Sequence, residues 1–297
     1  MDTRSYARIP TEKPHPRSSG LDRLSPEKLF DLMSAEDFAA SRAVALAKRK
    51  VLRAVTLISD RMSRGGRLFF VGAGTSGRLC VLEAAECPPT FGTPSTLIQA
   101  VMAGGRSSVF RSSEGAEDRT DDLSGPWGRE LLPIDSVVAV AASGVTSFAK
   151  KALQVARHRR AATVFLTCNP RAVPPADVRI VLRTGPEILT GSTRLKAGTA
   201  TKMILNMITT MTMVRLGKVY GHWMVDLQPR SKKLAARGTN LVSHLGQIPL
   251  SDAKGFLVRA GGQVKTAIVM ARRGVSRGQA ERMLSQGGGF LRTVLDS

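Results

Sequence analysis

The sequence predicts an α/β protein: a three-layer αβα sandwich around a five-stranded parallel sheet with a flavodoxin-like arrangement. Five short apolar segments follow one another between residues 67 and 183, and helix-like segments separate most of them. Near-continuous apolar strands that alternate with helices are typical of a parallel sheet buried on both faces. A helical N-terminal arm (1–63) and a small helical C-terminal domain (237–297) are predicted to flank the central domain (64–236).

The N-terminal arm has a polar start followed by a helical region. Residues 1–20 are predicted to be extended and loosely held, whereas residues 21–63 carry a helical apolar pattern. Ser25 precedes Pro26 and Glu27, and a hydroxyl followed by proline favours the start of a helix.

The five predicted strands are RLFFVGA, STLIQAV, SVVAVAA, ATVFLTC and VRIVLR. The connection CNPRAVPPAD between the last two contains three prolines, so it is predicted to be a loop or a single turn. A long helical segment follows and ends at Gly217, with methionines that we expect to fill the core. Shorter amphipathic segments from Arg237 onward predict a C-terminal helical cluster.

The composition limits the classes of function. No run of 18 apolar residues exists, and the N-terminus lacks a secretory signal, so we expect a cytoplasmic protein without a membrane span. Cys80, Cys87 and Cys168 are odd in number and lack metal-ligand spacing, which indicates free thiols in a reducing compartment. The four histidines are far apart, so no metal site is predicted.

The formal net charge is +21, from 44 Lys and Arg against 23 Asp and Glu. These cations are spread over many segments, which favours a solvated surface over a concentrated nucleic-acid interface. A positive field that attracts an anionic substrate is the second interpretation, and both can hold together. A nucleic-acid partner is therefore not expected.

The turn after the first strand contains Gly72, Gly74 and Gly77 in the pattern G-x-G-x-x-G. A dinucleotide site normally has an acidic residue about 20 residues further on, which binds the ribose hydroxyls. No Asp or Glu stands between Glu86 and Glu114. Arg106 could bind the 2′-phosphate of a phosphorylated dinucleotide, so that cofactor remains an alternative. The sequence therefore favours a different anion, and we predict no cofactor.

Two turns rich in hydroxyl groups are predicted to bind a single phosphate. Thr75 and Ser76 lie in the glycine turn, and Ser143 and Thr146 follow the third strand; each turn opens a helix. Free amide groups and the positive end of a helix favour an anion, and ligands of open parallel sheets bind at the carboxyl ends of the strands. The simpler alternative is that these residues only cap their helices.

Longer blocks of sequence resemble a known family. They include GAGTSGRLCVLEAAECPPTFG at 72–92, EGAED at 114–118 and GPEILTGSTRLKAGTATK at 185–202. The chain is similar over nearly its whole length to the N-acetylmuramic acid 6-phosphate etherases, which belong to the sugar isomerase (SIS) domain superfamily. The resemblance implies a cofactor-free lyase, typically a homodimer, that removes D-lactate from its sugar phosphate by elimination and then adds water.

The resemblance places the catalytic acid at Glu86 and the second carboxylate, the expected base, at Glu117. Such an elimination needs two carboxyl groups in different protonation states. Pro88 and Pro89 are predicted to stop the helix after Glu86, which would leave this carboxyl at the negative helix end and favour its protonated form. Glu114 stands three residues before Glu117, and crowding of the two would raise one pKa.

The segment LTGSTRLKAG is predicted to line the pocket and to bind the phosphate or the lactyl carboxylate. The complete set of predicted substrate-binding residues is Gly74, Thr75, Ser76, Gly77, Ser143, Gly144, Thr146, Ser192, Arg194 and Lys196. The chain departs from the family pattern at His15, Val145, Ser147 and His222, which leaves its exact specificity open.

Two further functions remain open from the sequence. The first is a sugar-phosphate sensor without catalysis, similar to glucokinase regulatory protein, which the presence of Glu86 and Glu117 disfavours. The second is a DNA-binding regulator, which would need a helix-turn-helix module before the SIS domain. The long Ala- and Val-rich helical segment at that place does not fit such a module.

Overall fold

The computed structural model describes residues 6–229 and 231–296. Its contacts group the chain into two compact units. The first comprises residues up to Ala84 together with Thr96–Thr209, and the second comprises Ala85–Ser95 together with the residues from Thr210 onward. The predicted division at residues 63 and 236 stays a prediction.

The first unit contains the parallel sheet, and all five predicted strands are confirmed. They are β1 (Leu68–Gly72), β2 (Ile98–Met102), β3 (Ser136–Val140), β4 (Ala162–Thr167) and β5 (Val178–Val181). The order across the sheet is β2-β1-β3-β4-β5. Leu68 pairs in parallel with Ile98 of β2 on one side and with Ser136 of β3 on the other. Successive strands are therefore added on one side of β1 and then on its other side. The turns after β1 and β3 therefore lie at the switch point where such folds bind ligands.

Helices cover the sheet, which confirms the αβα sandwich. The helices of this part of the chain are α1 (Pro26–Leu46), α2 (Lys48–Met62), α3 (Gly74–Phe91), α4 (Ser107–Phe110), α5 (Pro126–Glu130), α6 (Ser147–His158) and α7 (Lys196–Arg215). Phe148 and Ala152 of α6 pack against Phe69 and Val71 of β1, while α2 packs against β4 and β5. The Ser25 hydroxyl caps α1 by accepting from the Lys28 N–H, as predicted.

The described part of the N-terminal arm is held in place, so the prediction that residues 1–20 are loosely held is wrong for residues 6–20. Ile9 and Thr11 are buried, and short 3₁₀ turns span Pro10–Glu12 and Leu21–Arg23. The Gly191 N–H donates to the Thr11 carbonyl at 3.2 Å. Backbone bonds to a distant loop fix this segment, and sequence periodicity does not reveal them.

Helix α3 continues through Pro88 and Pro89 to Phe91, so the prediction that these prolines stop it is also wrong. Each proline removes its own N–H bond to the preceding turn and crowds the carbonyl four residues before it, yet the helix continues past both. The last turn keeps its bonding, because the Gly92 N–H donates to the Pro88 carbonyl at 3.0 Å. The helix ends one turn later, where Gly92 adopts a φ of +64°.

The second unit contains the predicted C-terminal helical cluster. Its helices are α8 (Lys232–Gly246), α9 (Leu250–Arg259), α10 (Val264–Arg273), α11 (Arg277–Gln286) and α12 (Leu291–Leu295). They enclose a core that includes Leu241, Val242 and Ile268. No helix among the residues that the structure describes has the length and apolarity needed to cross a bilayer.

Candidate active site

The glycine turn joins β1 to α3 by a close approach of backbone to backbone. A Cβ on Gly72 would lie 2.9 Å from the Gly77 nitrogen, and one on Gly77 would lie 2.7 Å from the Gly72 oxygen. Gly74 adopts a φ of +54°, a conformation that glycine enters without strain. The three glycines are therefore explained by the tightness of the turn, which does not require a dinucleotide.

A cavity of about 180 Å³ opens beside this turn. Gly74 and Arg78 of α3 line it together with Ser113, Glu114 and Glu117 from the segment that follows α4. Two residues that the sequence predicts, Gly74 and Glu117, thus meet at the carboxyl ends of β1 and β2. This is the place where an open parallel sheet presents its ligand site.

Glu117 is exposed, yet its surroundings favour the protonated form. Its pKa is raised, mainly because neighbouring protein atoms displace part of its water, and further because the carboxylates of Asp118 and Glu114 lie nearby. The predicted crowding by Glu114 therefore acts in the expected direction, but it is the smaller cause. A carboxylate whose pKa moves toward neutrality is a stronger base, which suits proton abstraction from carbon.

Arg78 is a site residue that the sequence analysis missed. Its Nε donates to the Val109 carbonyl at 2.9 Å, which holds the guanidinium at the cavity. The signal was present in the sequence, because Arg78 follows the third glycine and stands four residues after Gly74, on the same helix face. A fixed guanidinium next to free helix amides is well suited to bind a phosphate or a carboxylate.

The turn after β3 is held by a side chain from the loop that follows β4. The Asn169 Nδ2 donates to the Ser143 carbonyl at 2.8 Å, and the Ser143 hydroxyl accepts from the Val145 N–H at 3.4 Å. Thr146 occupies the N-cap position of α6, but its side chain makes no capping bond. Simple capping therefore does not account for Thr146. The Ser147 hydroxyl donates to Asp118 at 3.5 Å, which connects this turn to the Glu117 loop.

The segment before α7 contains a buried ion cluster instead of a free cation. The Lys196 ammonium is paired with Glu36 of α1, whose carboxylate also accepts from Arg17 at 2.6 Å and lies 3.1 Å from the His15 Nε2. The carboxylate of the buried Glu187 accepts from the backbone N–H groups of residues 196 and 197. Both the Lys196 charge and these helix amides are thus already matched by carboxylates, whereas Arg194 is exposed and Ser192 is half-buried.

The remaining predicted residues lie as follows. Thr75 and Ser76 are half-buried in the first turn of α3, and the Thr75 methyl group packs near Gly198 at the start of α7. Glu86 is exposed in the second half of α3, in the part that groups with the second unit. It is not among the described residues that line the cavity at Gly74. Its assignment as the acid stays a prediction.

Tyr6, from the arm, is the other residue near the site that the sequence analysis missed. Its pKa is raised, first by burial, then by Glu12, which accepts its hydrogen bond, and also by the negative charge of Glu117. The arm therefore passes close enough to Glu117 for the two groups to interact electrostatically. No periodic pattern or motif around Tyr6 indicated this electrostatic interaction.

Two of the three thiols are not candidates for covalent chemistry. Burial raises the pKa of Cys168 to about 12 and that of Cys80 further, so both are neutral thiols at physiological pH. Among the residues that the structure describes, no group of three His, Cys, Asp or Glu side chains has the geometry to hold a metal ion.

Comparisons with known proteins agree with this arrangement. Residues 50–126 match the family described as "Glucokinase regulatory protein N-terminal SIS domain". An N-acetylmuramic acid 6-phosphate etherase of Synechocystis sp. is 46% identical over 290 residues, which cover 97% of this chain and 95% of that relative. The chain belongs to the N-acetylmuramic acid 6-phosphate etherase family. An etherase of Nostoc sp. is 45% identical and covers 100% of this chain and 97% of its own. One of Microcystis aeruginosa is 43% identical, with 99% and 97% covered.

The similar solved structures include the phosphoheptose isomerase of Neisseria gonorrhoeae. It is 15% identical and covers 64% of this chain and 97% of its own, with a TM-score of 0.45. The etherase family is therefore established by sequence over the full length, and the sandwich fold by the sheet itself.

Proposed function

We propose that this chain cleaves the D-lactyl ether of N-acetylmuramic acid 6-phosphate, giving N-acetylglucosamine 6-phosphate and D-lactate. Membership of the etherase family over nearly the whole chain supports the reaction. The observation that carries it for this structure is the meeting of Gly74 and Glu117 in one cavity. The reaction needs an anion-binding turn for the phosphate and a basic carboxylate for the carbon 2 proton in the same place.

The chemistry assigned to the two carboxyl groups is an elimination followed by an addition. The Glu117 carboxylate takes the carbon 2 proton of the ring-opened sugar, the carbon 3–oxygen bond breaks, and Glu86 protonates the departing lactate oxygen. Water then adds at carbon 3 and gives one proton to the Glu86 carboxylate, while Glu117 returns its proton to carbon 2, so both carboxyl groups regain their starting states. The raised pKa of Glu117 supports the base role, since the proton affinity of the base helps to set the rate of this step.

Arg78 and the glycine turn are the proposed anion site. The enclosed space of about 180 Å³ accepts one end of a sugar phosphate, and the rest of the ligand lies outside it. Thr75 and Ser76 would donate to the phosphate, as predicted from the sequence. The Gly77 N–H already donates to the Ala73 carbonyl at 3.0 Å, so Gly77 as a direct phosphate contact stays a prediction. Ser143, Gly144 and Thr146 are proposed to contact the sugar.

The anion partner in the segment before α7 is proposed to be the exposed Arg194, with Ser192 beside it. Lys196 as a direct substrate contact stays a prediction, because its ammonium is already paired with Glu36. Since Glu36 and Lys196 tie α1 to the start of α7, their pairing is proposed to fix the position of the substrate loop.

A cytoplasmic homodimer is the expected working form of the protein. Helix α1 supports this proposal, because Phe30, Phe38 and Leu46 are each more than 70% exposed on it. Apolar side chains in such number on one helix are typical of a surface that a second molecule covers. Light scattering coupled to size exclusion should give the mass of a dimer, and a monomer at micromolar concentration would contradict it.

The experiment that tests the function is direct. The purified chain is incubated with N-acetylmuramic acid 6-phosphate, and D-lactate is measured with a D-lactate dehydrogenase coupled assay. Equal amounts of D-lactate and N-acetylglucosamine 6-phosphate are expected. Saturable binding of the sugar phosphate without any release of lactate would instead favour the sensor, which the match to the glucokinase regulatory protein domain keeps as the second candidate.

A further inference from the structure

A second cavity in the first unit is much larger than the one at Glu117 and has no assigned role. Its volume is about 890 Å³. Four cations line it, Arg8 of the arm, Lys150 and Arg157 of α6, and Arg171 of the loop between β4 and β5. No Asp or Glu is among the described residues of its lining. Three separate elements therefore bring positive charge to one concave surface.

These four cations are not neutralised by the protein. Within the described chain, none of them has a carboxylate within ion-pair distance. The one contact between them is a long bond of 3.5 Å from the Arg171 guanidinium to the Arg8 carbonyl. Like charges held together in a cleft attract anions strongly, because the low-dielectric walls focus their field. Guanidinium groups in particular bind phosphate through paired hydrogen bonds.

Part of the cavity wall is apolar. Val173, Pro174 and Pro175 contribute to it, and Val173 is 69% exposed. The amide of Asn169 also lines the cavity. A ligand that fits this surface carries negative charge at one end and a flat or apolar group at the other. The cavity volume lies in the range of about 300–1,000 Å³ that is usual for small-molecule and cofactor sites.

We propose that this cavity binds a nucleoside diphosphate, with the two phosphates on the four cations and the base against Val173, Pro174 and Pro175. The described residues that line this cavity and the cavity at Glu117 have no member in common, although Gly144, a proposed sugar contact, borders the new site. It touches the turn after β3, since Gly144 lines it and Asn169 holds the Ser143 carbonyl.

Isothermal titration calorimetry with ADP and with pyrophosphate tests the proposal on the full chain. Both ligands should bind saturably, and ADP should bind at least about tenfold more tightly, because only ADP reaches the apolar wall. The double variant R157Q/R171Q should weaken ADP binding about ten- to hundredfold, since two charge-assisted contacts are lost. Both arginines are exposed, neither has a carboxylate partner in the described chain, and the bond from Arg171 to Arg8 is long, so the melting temperature should change little.

A control variant with the same loss of charge is K232Q/R237Q, at exposed positions of α8. It should bind ADP like the unmodified chain. Equal weakening in both variants would show that net charge alone attracts ADP, and the proposal would fail. It would also fail if ADP did not bind, or if saturating sugar phosphate displaced it competitively. Equal affinities for ADP and pyrophosphate would overturn the assignment of the base. None of these results depends on whether D-lactate is released, so the proposed function is tested independently.

Discussion

The substitution Glu36→Gln should destabilise the protein strongly, because it removes the carboxylate at the centre of a buried ion cluster. Glu36 accepts from Lys196 and Arg17 and faces the His15 Nε2. The Lys196 side chain is only 4% exposed, so without Glu36 its charge stays buried and uncompensated. Glutamine keeps the volume of the side chain, and the loss is therefore electrostatic.

The size of the effect follows from the burial. Removing one partner of a buried pair costs about 3–5 kcal/mol. Arg17 is mostly exposed and contributes little of this. With about 2.1 cal/mol/K of unfolding entropy per residue and a unit of roughly 200 residues, the melting temperature should fall by about 7–12 °C. Differential scanning calorimetry at pH 7 measures this.

A surface ion pair serves as the control, because it separates the effect of burying a charge from the effect of pairing it. Arg277 and Glu281 form a 2.8 Å pair in which both side chains are nearly half exposed. Glu281→Gln should therefore cost less than about 1 kcal/mol. A Glu36→Gln protein that melts within 2 °C of the Glu281→Gln protein would refute the reasoning.

The pH dependence of the same variant gives a second readout. Burial raises the pKa of Glu36, but the hydrogen bonds from Lys196 and Arg17 outweigh burial, so the pKa lies below its ordinary value of 4.5. A lowered pKa stabilises the fold above the ordinary value, and this stabilisation is lost as the pH falls through the folded-state pKa. The difference in melting temperature between the unmodified chain and Glu36→Gln should thus be constant at neutral pH and shrink in acid.

Three further predictions concern the site. Because the pKa of Glu117 is raised, the acidic limb of the pH profile of kcat/KM should lie above pH 4.5. Glu114→Gln removes one neighbouring charge and should shift this limb toward lower pH. A limb that stays at pH 4.5 in both proteins would contradict the assignment. Arg78→Gln should raise KM for the sugar phosphate about tenfold or more with a smaller effect on kcat, and an unchanged KM would exclude the proposed anion contact. Gly144→Ala should lower the free energy of unfolding by about 1–3 kcal/mol in a denaturant titration, since φ is +74° and a Cβ would overlap Ala172. A loss below about 0.5 kcal/mol would contradict this prediction.

The sheet could be predicted because its central strands β1, β3 and β4 are apolar runs buried on both faces, whereas the edge strands β2 and β5 are partly exposed. Segments such as Phe69–Val71 and Val137–Val140 are buried throughout, and only a central parallel strand needs such a pattern. Alternation with helices then fixed the class of fold. The order β2-β1-β3-β4-β5 is the usual one for this class, so the position of the ligand site followed as well.

The contacts that complete the site could not be predicted, since they join residues that are far apart in sequence. Glu36 and Lys196 are separated by 160 positions, and no local pattern connects them. Tyr6 is electrostatically coupled to Glu117 although 111 positions separate them, and a backbone bond between Gly191 and Thr11 helps to hold the arm that carries it. Arg78 is different, because the motif already presented it, and only its hydrogen bond to Val109 identified it as a residue of the cavity.

The most direct test of the central claim compares Glu117→Gln with Glu114→Gln in the D-lactate assay. Both carboxyl groups line the cavity at Gly74, but only Glu117 is assigned to remove the carbon 2 proton. Loss of a general base costs roughly 10²–10⁴ in rate. Glu117→Gln should therefore lower kcat by at least a hundredfold while still binding the sugar phosphate, and Glu114→Gln should keep kcat within tenfold. Normal lactate release by Glu117→Gln would contradict the account.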